Sequence, residues 1–164
     1  MEGGLPQRSI LRSLAFQFSE DVSASLEPGD LVLENLTTAA TIDPGVMTLT
    51  YDSATNTATW TFNFPGPFFE SLPDGNYCAT LPAAAVEDLG CNNPSSDGQL
   101  VFHRVFGDRD GDTDVDALDL FRFGVCFPST GSCDFRYDID SDTDEDFLDL
   151  VNFGARFPSV LPPP

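Results

Sequence analysis

The chain has 164 residues, 27 of them acidic and only seven basic, all seven arginine, which sets a formal net charge of −20 and a pI near 4.1. That balance argues against nucleic-acid binding and against docking on an anionic membrane, since both need a positive surface, and it invites cations instead. With 41% hydrophobic residues and fifteen Phe the chain is too apolar for a disordered acidic tail, and no apolar run approaches the roughly 18 residues needed to span a bilayer.

The opening MEGGLPQRSILRSL places a charge and a proline ahead of any apolar block, so it does not read as a signal peptide. Four cysteines nevertheless suggest two disulfides and an oxidising compartment. Both cues are met if the chain is the C-terminal part of a longer exported protein, extracellular or at the cell surface, or a truncated reading of its gene.

Charge density divides the chain. Residues 1–104 hold 13 acids and 3 Arg, net −10, and residues 105–164 hold 14 acids and 4 Arg, also net −10 but over a far shorter stretch. In the first part apolar residues alternate: Leu14, Phe16 and Phe18; Leu31 and Leu33; Met47, Leu49 and Tyr51; Ala58, Trp60, Phe62 and Phe64; Tyr77, Ala79 and Leu81; then Leu100, Phe102 and Arg104 on one face, with Val101, His103 and Val105 on the other. A period of two in β-branched and aromatic residues, broken by PGD, DSATN, FPGP, LPDG and SSDG, predicts short antiparallel strands joined by turns and hence a β-sandwich. Pro82 to Gly90 breaks the alternation and is expected to form a helical turn. The late segments GNYCATL, AAAVEDLG and CNN are similar in order to those of bacterial Ig-like domains of the S-layer type, and that resemblance, over residues 8–106, implies an Ig-like β-sandwich.

The second part repeats itself with an offset of 30. DRDGDTDVDALDLFRFGVCFPS from Asp108 aligns without a gap on DIDSDTDEDFLDLVNFGARFPS from Asp138, with acids at the first, third, fifth, seventh, ninth and twelfth positions of a twelve-residue stretch. Ca²⁺ takes six to eight hard oxygen ligands at about 2.3–2.6 Å, and this spacing can wrap one ion per loop. The expected side-chain ligands are Asp108, Asp110, Asp112 and Asp119 in the first loop and Asp138, Asp140, Asp142 and Asp149 in the second. Backbone carbonyls of Asp114 and Asp144 complete each set, and Asp116 and Asp146 act through water. Two carboxylates about 5 Å apart repel by roughly 3 kcal/mol at an effective dielectric near 20, so the loops call for a cation.

Thr113 and Thr143 replace the glycine usual at the sixth position, and Asp replaces Glu at the twelfth. Glu145 stands at the eighth, where Val115 suits an apolar contact between paired loops. A helix is expected after each loop, carrying Leu118, Leu120 and Phe121, then Leu148, Leu150 and Val151, with Phe123, Phe127, Phe153 and Phe157 beyond; none is expected before. A duplicated loop-helix unit with Asp at its twelfth position resembles the type I dockerin, over residues 107–159. That resemblance implies two Ca²⁺ ions, a fold built around them and a cohesin-like or other protein partner. The positions where dockerins usually carry Ser and Thr for recognition hold Ala117 and Leu118, or Phe147 and Leu148, and the later basic pair is replaced by Gly124 and Val125, or Gly154 and Ala155.

Cys126 and Cys133 bracket the connector between repeats and Cys78 and Cys91 bracket the helical turn, but four cysteines allow three pairings. Zinc is the poorer metal, with no CxxC and only His103 to assist. His103 reads as an ordinary strand residue facing away from Phe102, and Trp60 as core. Asn35-Leu36-Thr37 matches a glycosylation sequon. No nucleophile triad or phosphate loop is present, and the loop carboxylates are committed to metal. The expectation is therefore a non-catalytic calcium-dependent attachment module in a larger extracellular protein, one linked to polysaccharide breakdown. The alternative is a purely structural, calcium-rigidified end of a surface protein.

Overall fold

A computed structural model describes residues 8–65, 71–131 and 133–162. The N-terminal stretch through Gln7, read above for a leader, and Gly66 and Pro67 of the expected FPGP turn lie outside them. The described residues are mainly β, with several antiparallel sheets and two α-helices.

β1 (Ser13–Gln17), β5 (Thr57–Phe62) and β4 (Met47–Asp52) form one sheet in that order, all antiparallel. β3 (Ala40–Thr41), β2 (Val32–Asn35), β6 (Gly75–Leu81) and β7 (Gly98–Arg104) form the second. Alternate side chains point to one face of a pleated strand, so Ala58, Trp60 and Phe62 of β5 are fully buried while the threonines between them are only half-buried. Leu14, Leu33, Tyr77, Ala79, Leu81 and Phe102 join them in one core shared by both sheets. Phe16 meets Trp60 edge-on at 5.8 Å, Tyr77 stacks on Phe102 at 5.3 Å, and the Trp60 indole N–H donates to the Pro28 carbonyl. The Pro82–Gly90 segment contains one short 3₁₀ turn, Ala83–Ala85.

A second core lies under the acidic repeats. β8 (Asp114–Val115) leads into α1 (Ala117–Cys126), and α2 (Phe147–Gly154) is followed by β9 (Ser159–Val160). Phe123 and Phe153, equivalent residues of the two helices, stack at 5.0 Å, and Tyr137 meets Phe123 edge-on at 5.2 Å. Val105, Phe106, Val115 and Ile139 close this core, and so does Ile10, from the segment that precedes β1. The buried faces of the helices are Asp119, Phe123 and Cys126, and Asp149 and Phe153. Leu118, Phe121, Leu148 and Val151 are exposed instead.

The repeats pair reciprocally rather than loop to loop. Val115 is opposite Ser159, and Glu145, its equivalent, is opposite Ser129, the equivalent of Ser159. Each loop thus meets the FPS segment that follows the other copy's helix. Glu145 is consequently not an apolar contact gone wrong. Fully buried, it accepts hydrogen bonds from the Ser129 hydroxyl and from the backbone N–H groups of Cys133 and Asp134. Cys126 and Cys133 form a disulfide across this connector, while Cys78 and Cys91 are unpaired.

The two cores are joined by a polar seam. Asp74 accepts from Arg104 and from the Phe106 N–H (3.0 Å) through one oxygen and from Arg156 Nε (2.5 Å) through the other. Burial pushes the Arg104 guanidinium down to about 10 against the opposing pull of Asp74. Ser9 accepts from the Gly107 N–H (2.8 Å) and donates to the Arg136 carbonyl (2.5 Å), and Asn76 donates to the Pro162 carbonyl. Gly107 has φ +104, and a Cβ there would lie 2.9 Å from the Val115 side chain, so the crossing between cores admits only glycine.

Removing one member of a fully buried ion pair costs about 3–5 kcal/mol. Asp74 is part-exposed beside a buried Arg104, so Asp74→Asn should cost about 2 kcal/mol. Urea unfolding followed by Trp60 fluorescence checks this; an unchanged midpoint would mean that the seam contributes nothing.

Candidate metal centre

Each loop is organised by its first and last carboxylates. Asp108 Oδ1 accepts from the Gly111 N–H (2.5 Å) and its Oδ2 from the Thr113 N–H (3.1 Å); Asp138 does the same for Asp142 (3.2 Å) and Thr143 (3.1 Å). Asp119, at the twelfth position, accepts from the Arg109 N–H (3.0 Å) and the Asp116 N–H (3.1 Å), so one carboxylate ties the loop's beginning to the helix's first turn. Asp149 repeats this with Ile139 and Asp146, both at 2.8 Å. Asp116 and Asp146 are the helix N-caps and accept from the N–H groups of Leu118 and Leu148. The ninth-position residues, expected to act through water, therefore also begin the helices.

Asp108, Asp110 and Asp119 each bring a carboxylate oxygen within 4.8 Å of the others, and Asp114, Asp116 and Asp119 form a second such group around the shared Asp119. Asp138, Asp140 and Asp149, with Asp144, Asp146 and Asp149, repeat the arrangement. Of the expected ligands, Asp112 and Asp142 lie outside these groups; both are exposed, and each accepts the backbone N–H two residues on. Asp114 and Asp144, expected to act through their carbonyls, turn their carboxylates inward.

Among the described residues four buried carboxylate oxygens have no hydrogen-bond partner: the Oδ1 atoms of Asp110 and Asp114 and, at the same two loop positions, of Asp140 and Asp144. A buried, unsatisfied carboxylate oxygen is costly, and native structures satisfy the great majority of such groups. Burial, followed by repulsion from neighbouring aspartates, raises the carboxyl pKa of all four residues. Burial pushes Asp119 and Asp149 up to about 6 despite the N–H groups that favour their charged forms. The donors are all hard oxygens, the set that Ca²⁺ prefers.

The backbone supports this geometry at a cost. Thr113 and Thr143 take φ +83 and +78, the left-handed conformation normally given to glycine at this position.

Several residues take roles here that the sequence did not assign to them. His103 does face away from Phe102, but its Nε2 lies 2.7 Å from Asp108 Oδ2, which makes it more than an ordinary strand residue. Arg12 donates to the Ser141 hydroxyl of the second loop at 2.6 Å. Asn35 of the apparent sequon is buried, and its amide donates to the Tyr77 hydroxyl and the Asp74 carbonyl, so it is unsuited to carry a glycan in the folded chain. Trp60 is core, as expected.

Two predictions follow from this geometry. The raised pKa values of Asp119 and Asp149 mean that the metal-free fold holds protons that the unfolded chain, with carboxyls near 4, releases. Stability in EDTA should therefore rise as pH falls from about 7 to about 5, and Asp119→Asn with Asp149→Asn should flatten the trend in thermal melts. Replacing Thr113 or Thr143 by Gly should stabilise the chain by about 1 kcal/mol, strain relief outweighing the added freedom of the unfolded state, as read by urea titration. No family model matches the chain, and neither the curated proteins nor the solved structures yield a similar protein.

Proposed function

We propose that the chain binds two Ca²⁺ ions, one in each acidic loop, and serves as a non-catalytic attachment module of a larger extracellular protein. The observation that carries the calcium reading is the set of four partnerless buried carboxylate oxygens at matching positions of both loops. Asp108, Asp110, Asp114 and Asp119 would hold one ion and Asp138, Asp140, Asp144 and Asp149 the other, with Asp112 and Asp142 available from the loop rims. A cation there satisfies the orphan oxygens and offsets the mutual repulsion of the loop carboxylates. In this reading the second part is a type I dockerin-like module behind an S-layer-type Ig-like domain, in a protein linked to polysaccharide breakdown.

Attachment is supported by the outer helix faces. Phe121 and Val125 on α1 and Phe147 on α2 are each more than 70% exposed, and Leu118 and Leu148 stand beside them at equivalent positions. Exposed apolar groups so placed suit a protein partner of the cohesin kind or another with an apolar surface. No helix among the described residues is long and apolar enough to cross a membrane. The structural alternative, calcium only rigidifying the chain's end, draws on the Asp74 seam that ties the repeats to the sheets.

Calcium titration should raise the thermal midpoint, and Asp110→Ala with Asp140→Ala should remove the response; no shift at millimolar Ca²⁺ would end the calcium reading. A pull-down should then retain a protein partner with Ca²⁺ and release it in EDTA, with Phe121→Ser and Phe147→Ser together weakening retention at least tenfold. Calcium binding without any retained partner would leave the structural alternative.

A further inference from the structure

The two loops repeat in sequence but are not equivalent in surroundings. Asp108 has a fully buried side chain, and its Oδ2 takes a hydrogen bond from His103 Nε2 at 2.7 Å in addition to the Thr113 N–H. His103 belongs to β7, in the sheet that forms the first core, not to the repeat. A carboxylate only accepts, so the imidazole carries its proton on Nε2 in this contact. The residue 30 positions on is Cys133, which is tied to Cys126 in the disulfide and cannot play this part for Asp138. Asp138 instead takes the backbone N–H groups of Asp142 and Thr143.

Building on the calcium reading, we infer that His103 is a positioning residue for the first calcium site: the sheet reaches into loop 1 through this imidazole and sets the orientation of Asp108. A group that hydrogen-bonds a metal-ligating carboxylate fixes its rotamer before the ion arrives, and losing such a partner typically costs about 10–100-fold in metal affinity. The first loop's affinity therefore depends on β7, whereas the second loop's does not depend on His103. Occupancy of loop 1 and the stability of the first core become linked, because anything that displaces β7 releases Asp108.

The test uses the full chain with Asp140→Ala, so that only loop 1 titrates. Calorimetry with CaCl₂ should show His103→Ala weakening binding by about 10–100-fold, and His103→Gln, which keeps an N–H donor, recovering most of the loss. In the complementary Asp110→Ala background, His103→Ala should leave the loop 2 affinity unchanged. Should His103→Ala fail to fold, the unaltered chain still decides the matter, since its single histidine can be followed without ambiguity. Its ring ¹⁵N signals should move as loop 1 fills and stay put as loop 2 fills. If the unaltered chain takes up no calcium, the calcium reading falls and this inference with it. Calcium uptake with equal affinity in His103→Ala, equal loss in Ala and Gln, or unmoved histidine signals would overturn the inference alone.

Discussion

A carboxylate taken out of water needs compensation, and the loop-helix half of this chain is arranged around two of its buried carboxylates in particular. Asp119 and Asp149 are buried at the start of their helices, and each accepts one N–H from its loop's beginning and one from its own helix N-cap. These four bonds close the loops and set where the helices begin. They also draw Asp110, Asp114 and their equivalents inward, leaving oxygens that no group among the described residues satisfies. Helix start, loop closure and the unsatisfied carboxylate oxygens are therefore one constraint seen from three sides.

The aromatic residues answer a different need. A unit of about fifty residues buries too little surface to be comfortable alone, and here it borrows. Phe123 and Phe153 stack between equivalent positions of the repeats, but Ile10, ahead of β1, and Val105 and Phe106, just after β7, complete the core. The Asp74 seam and Gly107 then hold the crossing in one geometry. Because the same crossing carries His103 to Asp108, packing between the cores and the chemistry of the first loop share a structural element.

The exposed faces of α1 and α2 follow from the same division of labour. With Phe123, Phe153, Asp119 and Asp149 occupying the inward positions, the apolar residues at the loop ends are left facing outward. That is the physical reason the sequence, which counted Leu118, Phe121, Leu148 and Val151 among the apolar signature of the helices, could not say which of them were core: apolar spacing marks a helix, whereas the neighbour it packs on selects the buried stripe.

The elements themselves were readable from local pattern. Alternation located the strands of the first part except the two-residue, fully exposed β3, and the 30-residue offset located both loops, both helices and most of the inward carboxylates, because period and spacing act over a few residues. Tertiary structure alone decided what meets what: the pairing of Val115 with Ser159 and Glu145 with Ser129, the single Cys126–Cys133 disulfide with Cys78 and Cys91 left free, Ile10 in the second core, Asp74 between Arg104 and Arg156, and His103 on Asp108. It also turned Asp112 and Asp142 outward and the carboxylates of Asp114 and Asp144 inward. Most of those outcomes join segments far apart in the sequence, and no spacing within a single loop encodes such meetings.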